Sequence, residues 1–208
     1  MARYAVDHAL AAVEVVPRWF PRLRATRSTI AAEALVFVEF NLEQVMQSNE
    51  KESTTVVAAV LSPQSAWNAA RVTEFLHTAQ LPLRVATLDR DGFPHITSLW
   101  FRYAAGRIFC CTQQNAVIAR HLRYNAQVGF ELAVNQPPYH GLSGHGAAVV
   151  VTQDAIALLD QLARHYLEDR NPGLRKWLLS RVATEVVIEI TPLHITSWDF
   201  TRRMTSAD

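Results

Sequence analysis

The rhythm of hydrophobic and polar positions changes near residue 60. Before that point two apolar-periodic segments, residues 5–16 and 29–46, read as helices. Pro17 and Pro21 interrupt the first, and Ser28 stands as N-cap of the second, whose centre is Ala34-Leu35-Val36-Phe37-Val38. Residues 47–53, Gln-Ser-Asn-Glu-Lys-Glu-Ser, have no apolar rhythm and read as a linker. From Leu61 the pattern sharpens. Ser62-Pro63 predicts a helix start, with the helix running to Thr78, carrying Trp67, Val72, Phe75 and Leu76, and stopped by Pro82. Residues 83–89 read as a strand, Asp89-Arg90-Asp91-Gly92 as a hairpin turn, and 95–103 as the return strand. Ala104-Ala105-Gly106 turns into a third strand over 107–112.

A short helix over 116–124 and a strand over 127–134 follow. Pro137-Pro138 marks a loop before a long strand over 141–151, where Gly141, Gly144 and Gly146 allow a bulge or a close backbone approach. Residues 154–167 carry the helical stripe Leu158, Leu159, Leu162 and Tyr166, and a second helix spans 172–179. Strands over 185–190 and 194–200, joined through Thr191-Pro192, close the chain. Seven short strands with helices inserted among them predict a mainly β fold with flanking helices, a small β-barrel, because closure removes exposed edges. The organisation this implies is an N-terminal extension over 1–60, partly helical or disordered, and a barrel domain over 61–208. The extension is either an interaction arm or a segment the domain does not need.

Composition narrows the classes. Half of the residues are hydrophobic, enough for one domain with a core. A net charge of +1 gives no global attraction to nucleic acid or membrane. No uninterrupted apolar run is long enough to predict a transmembrane helix, and no basic segment followed by an apolar one and a cleavage site suggests secretion. The two cysteines are neighbours, Cys110-Cys111, and point to opposite faces of a strand. They read as small buried hydrophobes in a cytoplasmic protein, neither a disulfide nor a zinc set. Gly141, Gly144 and Gly146 do not form a dinucleotide fingerprint, no phosphate-binding Gly-rich loop ends in Lys-Ser/Thr, and Gly-x-Ser-x-Gly is absent. The eight histidines are dispersed.

What remains is an ordered set of short motifs. The run from Leu83 to His95, then Ser98-Leu99-Trp100-Phe101, Gly106-Arg107-Ile108-Phe109-Cys110-Cys111-Thr112, and Ala119-Arg120-His121-Leu122-Arg123-Tyr124-Asn125 followed by Val128-Gly129-Phe130-Glu131, resembles the pyridoxamine 5'-phosphate oxidase-like, FMN-binding split-barrel superfamily. Pro137-Pro138-Tyr139-His140-Gly141 and Ser197-Trp198-Asp199-Phe200-Thr201-Arg202-Arg203-Met204 extend the resemblance, which covers residues 62–204.

The resemblance implies a homodimer of split barrels with a cofactor at the interface, and a flavin- or deazaflavin-dependent oxidoreductase that transfers hydride to a small conjugated substrate. The cofactor would carry the redox chemistry, which accounts for the lack of an acid–base dyad. Its ring would rest on Ser98 and Trp100, and its phosphate would lie near Thr112, Gln113, Gln114, Asn115 and Arg120, aided by helix N-terminal amides. Trp198 and Arg202 complete the set. The chain departs from the oxidases at the helix start, where Ala116-Val117-Ile118 replaces a Ser-Arg-Lys clamp. His140 and Ser143 likewise stand where the nearer branch has arginine. Each charge-assisted hydrogen bond to phosphate contributes about 1.5–3 kcal/mol, so losing two weakens FMN binding by roughly two to four decades. FMN, the deazaflavin coenzyme, or haem held by His95, His140 or His145 in a non-catalytic binding barrel all remain open. So do plainer roles: Trp100, Trp198, Phe101 and Phe130 as barrel core, Thr112 as a strand end, Arg120 as partner of Glu131, and Arg202 and Arg203 as solvated charges.

Overall fold

A computed structural model describes residues 50–167 and 170–205, all within the compact unit that spans Asn41–Asp208. The helices expected over 5–16 and 29–46 lie outside the described residues. The linker expected over 47–53 is, from Glu50 onward, the first turn of helix α1 (Glu50–Val60). Most of its polar residues are exposed, while Ser53 is fully buried beside Val57. The polar run hides a buried stripe because its first member is a serine.

The segment after Leu61 also differs from expectation. Ser62 caps no helix. The amides of Ser62 and Ala66 instead donate to the carbonyls of Ile195 and Ser197, at 2.8 and 3.0 Å. Helix α2 (Ala69–Thr78) starts later, capped by Asn68, whose side chain accepts from the Arg71 amide at 2.9 Å. Backbone donors spent on a distant strand are unavailable to a helix, and no local pattern shows that.

The seven strands are β1 (Leu83–Leu88), β2 (Pro94–Leu99), β3 (Phe101–Ala104), β4 (Arg107–Gln113), β5 (Gln127–Ala133), β6 (His140–Val151) and β7 (Glu185–Asp199). They form one antiparallel sheet in the order β2-β1-β5-β6-β7-β4-β3. The single return strand expected over 95–103 is broken at Trp100. Its first half pairs with β1 and its second with β4. Its halves are therefore the two edges of the sheet, one residue apart in the chain, so the sheet must curl until its edges meet. The strands expected over 185–190 and 194–200 are in turn one continuous β7. A register shift between His145 and Gly146 leaves Leu193 without a partner opposite β6 and absorbs the Thr191-Pro192 irregularity. A Cβ on Gly144 would lie 2.3 Å from the His194 carbonyl oxygen, so glycine alone permits this approach.

Inward-facing residues of the curled sheet, among them Val85, Phe101, Ile108, Cys110, Phe130, Leu142, Ile188 and Ile195, form the core. Phe101 and Phe130 thus fill the barrel, one of the plainer roles their sequence allowed. Val57 of α1, Val72 and Leu76 of α2, and Ile118 and Leu122 of α3 (Val117–Tyr124) plug its ends. Tight turns set the hairpins: Gly106 at φ +76° follows Ala105 at φ +48°. Gly106 also gives α1 room to approach, because a Cβ there would meet Val56 Cγ1 at 2.4 Å. Helix α4 (Ala155–Leu167) buries Leu158, Leu159 and Leu162 against β4 and β7. Helix α5 (Pro172–Ser180), capped by Asn171, lies beside α4, and a short terminal helix α6 (Thr201–Thr205) follows β7. Among the described residues no helix is long and apolar enough to cross a membrane.

Candidate functional site

Strand ends, not strand middles, position the site. The last residues of β2, the Trp100 link, the end of β4 and the start of β7 meet α4 and the residues after α5 around a cavity of about 320 Å³. Ser98, Trp100, Thr112 and Gln113 line it, as do Arg181 and Glu185, and Leu99, Leu159, Leu162 and Leu178 form its apolar wall. Four of the nine residues singled out in the sequence therefore converge, and they come from elements that pair with different neighbours.

Trp100 is held on one side by Tyr166 of α4, whose ring stacks on it at 5.0 Å with an interplanar angle of 5°. The Tyr166 hydroxyl donates to the Leu81 carbonyl at 3.0 Å and accepts from the Phe101 amide at 3.3 Å. This locks the stack across the closure of the sheet. Burial pushes that hydroxyl up to about 12, so it stays a neutral donor at physiological pH.

At the other end, Gln113 is fixed from both sides. The Thr184 hydroxyl donates to its carbonyl oxygen at 2.5 Å, and its amide nitrogen donates to Glu185 Oε1. Oε2 of Glu185 has no protein partner among the described residues. Burial raises the Glu185 carboxyl above the ordinary value, against the opposing pull of the Gln113 hydrogen bond and the Arg181 charge. The Arg181 guanidinium lies over the Trp177 ring, 4.5 Å from its centroid, and makes no ion pair among the described residues. A second cavity of about 520 Å³, lined by Gln114, Thr152, Asp154 and Val182, shares Glu185 with the first.

The junction of β4 and α3 is neutral in its backbone surroundings. Gln114 donates its amide to the Thr184 carbonyl at 2.7 Å, and its own carbonyl accepts from Arg123 at 2.7 Å. Ala116 is the N-cap of α3 without a side-chain hydrogen bond. No cation stands in the first turn, which reads Val117-Ile118-Ala119. Asn115 and Arg120 are exposed. Glu131 pairs with Arg84 at 3.4 Å, which removes the pairing with Arg120 that the sequence left open.

Trp198 and Arg202 lie elsewhere. Thr112 pairs with Val186 near the start of β7, whereas Trp198 pairs with Gly141 near its end. At ~3.3 Å per residue a straight strand would separate the two by roughly 40 Å. Beside Trp198, Asp199 accepts from Trp67 Nε1 at 3.0 Å, from Arg71 at 2.9 Å and from the Thr201 amide at 3.0 Å. A hydrogen bond from the Thr201 hydroxyl, then those from Trp67 and the Thr201 amide, hold its carboxyl well below the usual range, with the Arg71 charge adding to them.

The histidines do not line either cavity. His95 contacts Asp89 at 3.2 Å and packs edge-on to His121. His140 packs near Trp67 and Phe75, and His145 stacks on His194 at 5.3 Å. Among the described residues no group of three His, Cys, Asp or Glu side chains is arranged to hold a metal ion. Burial raises both cysteine thiols, so neither is a thiolate nucleophile at neutral pH. Sequence reasoning missed Arg181 and Glu185. Their role depends on the β4–β7 register and on the α4–α5 excursion, neither of which leaves a local signal.

No protein family matches the chain, and no curated protein matches it. Solved structures do. A conserved hypothetical protein from Mycobacterium tuberculosis aligns with a TM-score of 0.57 at 21% identity, over 71% of this chain and 94% of that one. An F420 reductase aligns with a TM-score of 0.50 at 21% identity, over 59% and 94% of the two chains. A protein of unknown function from Agrobacterium tumefaciens aligns with a TM-score of 0.51 at 20% identity, over 67% and 60%. At these identities the likeness is one of fold. The chain shares with them a split β-barrel fold, one antiparallel sheet curled on itself with flanking helices.

Proposed function

We propose that the protein is an oxidoreductase that uses a flavin or deazaflavin to reduce a small conjugated substrate, as a homodimer in the cytoplasm. The observation that carries this reading is the convergence of Ser98, Trp100, Thr112 and Gln113 on one cavity with an apolar wall and a polar end. A flat heteroaromatic ring needs such a slot: apolar contact over its faces and a few fixed hydrogen-bonding groups at its edge. When bound, the ring supplies the hydride. The chain's own residues bind and orient it. Leu159, Leu162 and Leu178 exclude water, Gln113 presents an amide already oriented by Thr184, and Ser98 and Thr112 present hydroxyls. The fold of the F420 reductase is consistent with a deazaflavin, and the flavin ring is of the same shape.

Trp198 and Arg202 join this site from the second protomer. A haem-binding barrel has less support, because none of His95, His140 and His145 faces either cavity. The decisive experiment is a visible absorption spectrum of the purified protein after incubation with FMN, the deazaflavin coenzyme or haem, followed by dialysis. Retention of a flavin or deazaflavin band is the expected result. Retention of haem alone, or of none of the three, overturns the reading.

A further inference from the structure

The residues around the β4–α3 junction bear on which ring ligand the cavity takes. A phosphomonoester brings close to two negative charges at neutral pH and needs cations or several free donors. The junction offers few. The first turn of α3 has no charged side chain, and the Arg123 guanidinium is turned onto the Gln114 carbonyl. Arg120 is exposed on α3. Glu185 stands at the same junction. It pairs across the sheet with Gln113, it follows the residue whose carbonyl holds the Gln114 amide, and it lines both cavities. Its Oε1 is taken by Gln113 and its Oε2 is open. Asp154 adds a second carboxylate to the adjoining cavity. Against these, Arg181 is the one cation lining the first cavity, and its charge sits beside that of Glu185. Counted with Arg123, whose guanidinium keeps its charge while it donates to the Gln114 carbonyl, these groups balance, so no surplus of positive charge forms a phosphate clamp.

We infer that the site selects ring ligands whose tail does not end in a phosphomonoester, and that Glu185 is the residue that sets this preference. The inference rests on the ring-binding reading above and narrows it. An open carboxylate oxygen accepts a hydrogen bond from a tail hydroxyl and repels a terminal phosphate, so it discriminates by attraction and repulsion at once.

Riboflavin and FMN carry the same ring and differ in that phosphate, so their affinities isolate the effect. Titration of the full chain with each, followed by quenching of flavin fluorescence, should give riboflavin binding at least about tenfold tighter than FMN. Glu185→Gln keeps the shape and a hydrogen-bonding side chain but removes the charge. It should tighten FMN about tenfold and weaken riboflavin by several-fold, since the hydrogen bond to its tail hydroxyl loses its charge, so that the two affinities converge. The wild-type preference should also narrow as salt is raised, because the repulsion is screened. That measurement needs no variant and stands if Glu185→Gln fails to fold. FMN binding as tightly as riboflavin, or a preference unmoved by both the substitution and salt, overturns the inference while leaving the ring-binding reading intact. Absence of binding by either flavin and by the unphosphorylated deazaflavin riboside overturns both.

Discussion

Asp199 shows how much one side chain fixes. Its carboxylate ties Trp67 and Arg71 to the end of β7 and caps α6 through the Thr201 amide. Because the folded carboxyl lies below its ordinary value of 3.8, its stabilisation is complete above that value and is lost as pH falls through the folded one. Asp199→Asn keeps the volume but loses the charge-assisted bonds. It should lower unfolding free energy by about 1–2 kcal/mol at pH 7, and the difference should shrink in strong acid. Urea denaturation of both proteins at neutral and acid pH checks this. Gly106 makes a different demand. Alanine there must adopt φ +76° and place a methyl 2.4 Å from Val56 Cγ1, a cost of about 2–4 kcal/mol. Gly92 has a similar φ with nothing within 4 Å, so Gly92→Ala should cost only about 1 kcal/mol. Adding Val56→Ala should recover part of the Gly106→Ala loss and none of the Gly92→Ala loss. Thermal melts of these four variants beside the wild type and Val56→Ala separate the backbone cost from the steric one.

Among elements, α1 begins where the sequence shows only polarity, yet Val57 and Ser53 are buried and the Tyr103 hydroxyl donates to the Ser53 carbonyl at 3.4 Å. Burying one valine contributes about 1.5–3 kcal/mol. A chain that begins at Leu61 should therefore melt well below one that begins at Asn41, as read by circular dichroism. Equal melting temperatures would show that α1 is dispensable. The strands that alternate strictly were legible, as in β1, where Leu83, Val85 and Thr87 face inward and Arg84, Ala86 and Leu88 do not. The hairpin turn at Gly92 and the start of α5 at Pro172 were legible for the same reason, since a local chemical rule governs each. What was not legible depended on distant partners. Ser62 and Pro63 form a good local helix signal, but β7 takes the amides of Ser62 and Ala66. The break at Trp100 is invisible because both halves of the strand carry the same pattern and differ only in which neighbour they meet. The candidate site divides the same way. Ser98, Trp100, Thr112 and Gln113 stand in recognisable motifs, whereas Glu185 and Arg181 become site residues only through a register between positions far apart in the chain.

At the scale of the whole molecule, Trp198 and Arg202 stand at the opposite end of β7 from Thr112. If they serve the ring site, they serve that of a second protomer. Mixed dimers test this. A chain carrying Gln113→Ala and a chain carrying Trp198→Ala should each bind a flavin ring weakly as homodimers. In a mixed dimer one of the two interface sites receives both lesions and the other neither, so each mixed dimer should regain half of the wild-type binding capacity, and an equimolar mixture that exchanges freely about a quarter. No recovery in the mixed dimer would place Trp198 outside the site. The single-residue link at Trp100 has a further consequence for how these molecules meet one another. Sheets grow into aggregates by adding strands to free edges. Here the edges are six and four residues long, one begins with Pro94, and they belong to the same stretch of chain. A strand arriving at either edge is stopped within a few residues by the chain that forms the other, so the fold limits runaway strand addition through its connectivity, without a dedicated guard of charged side chains.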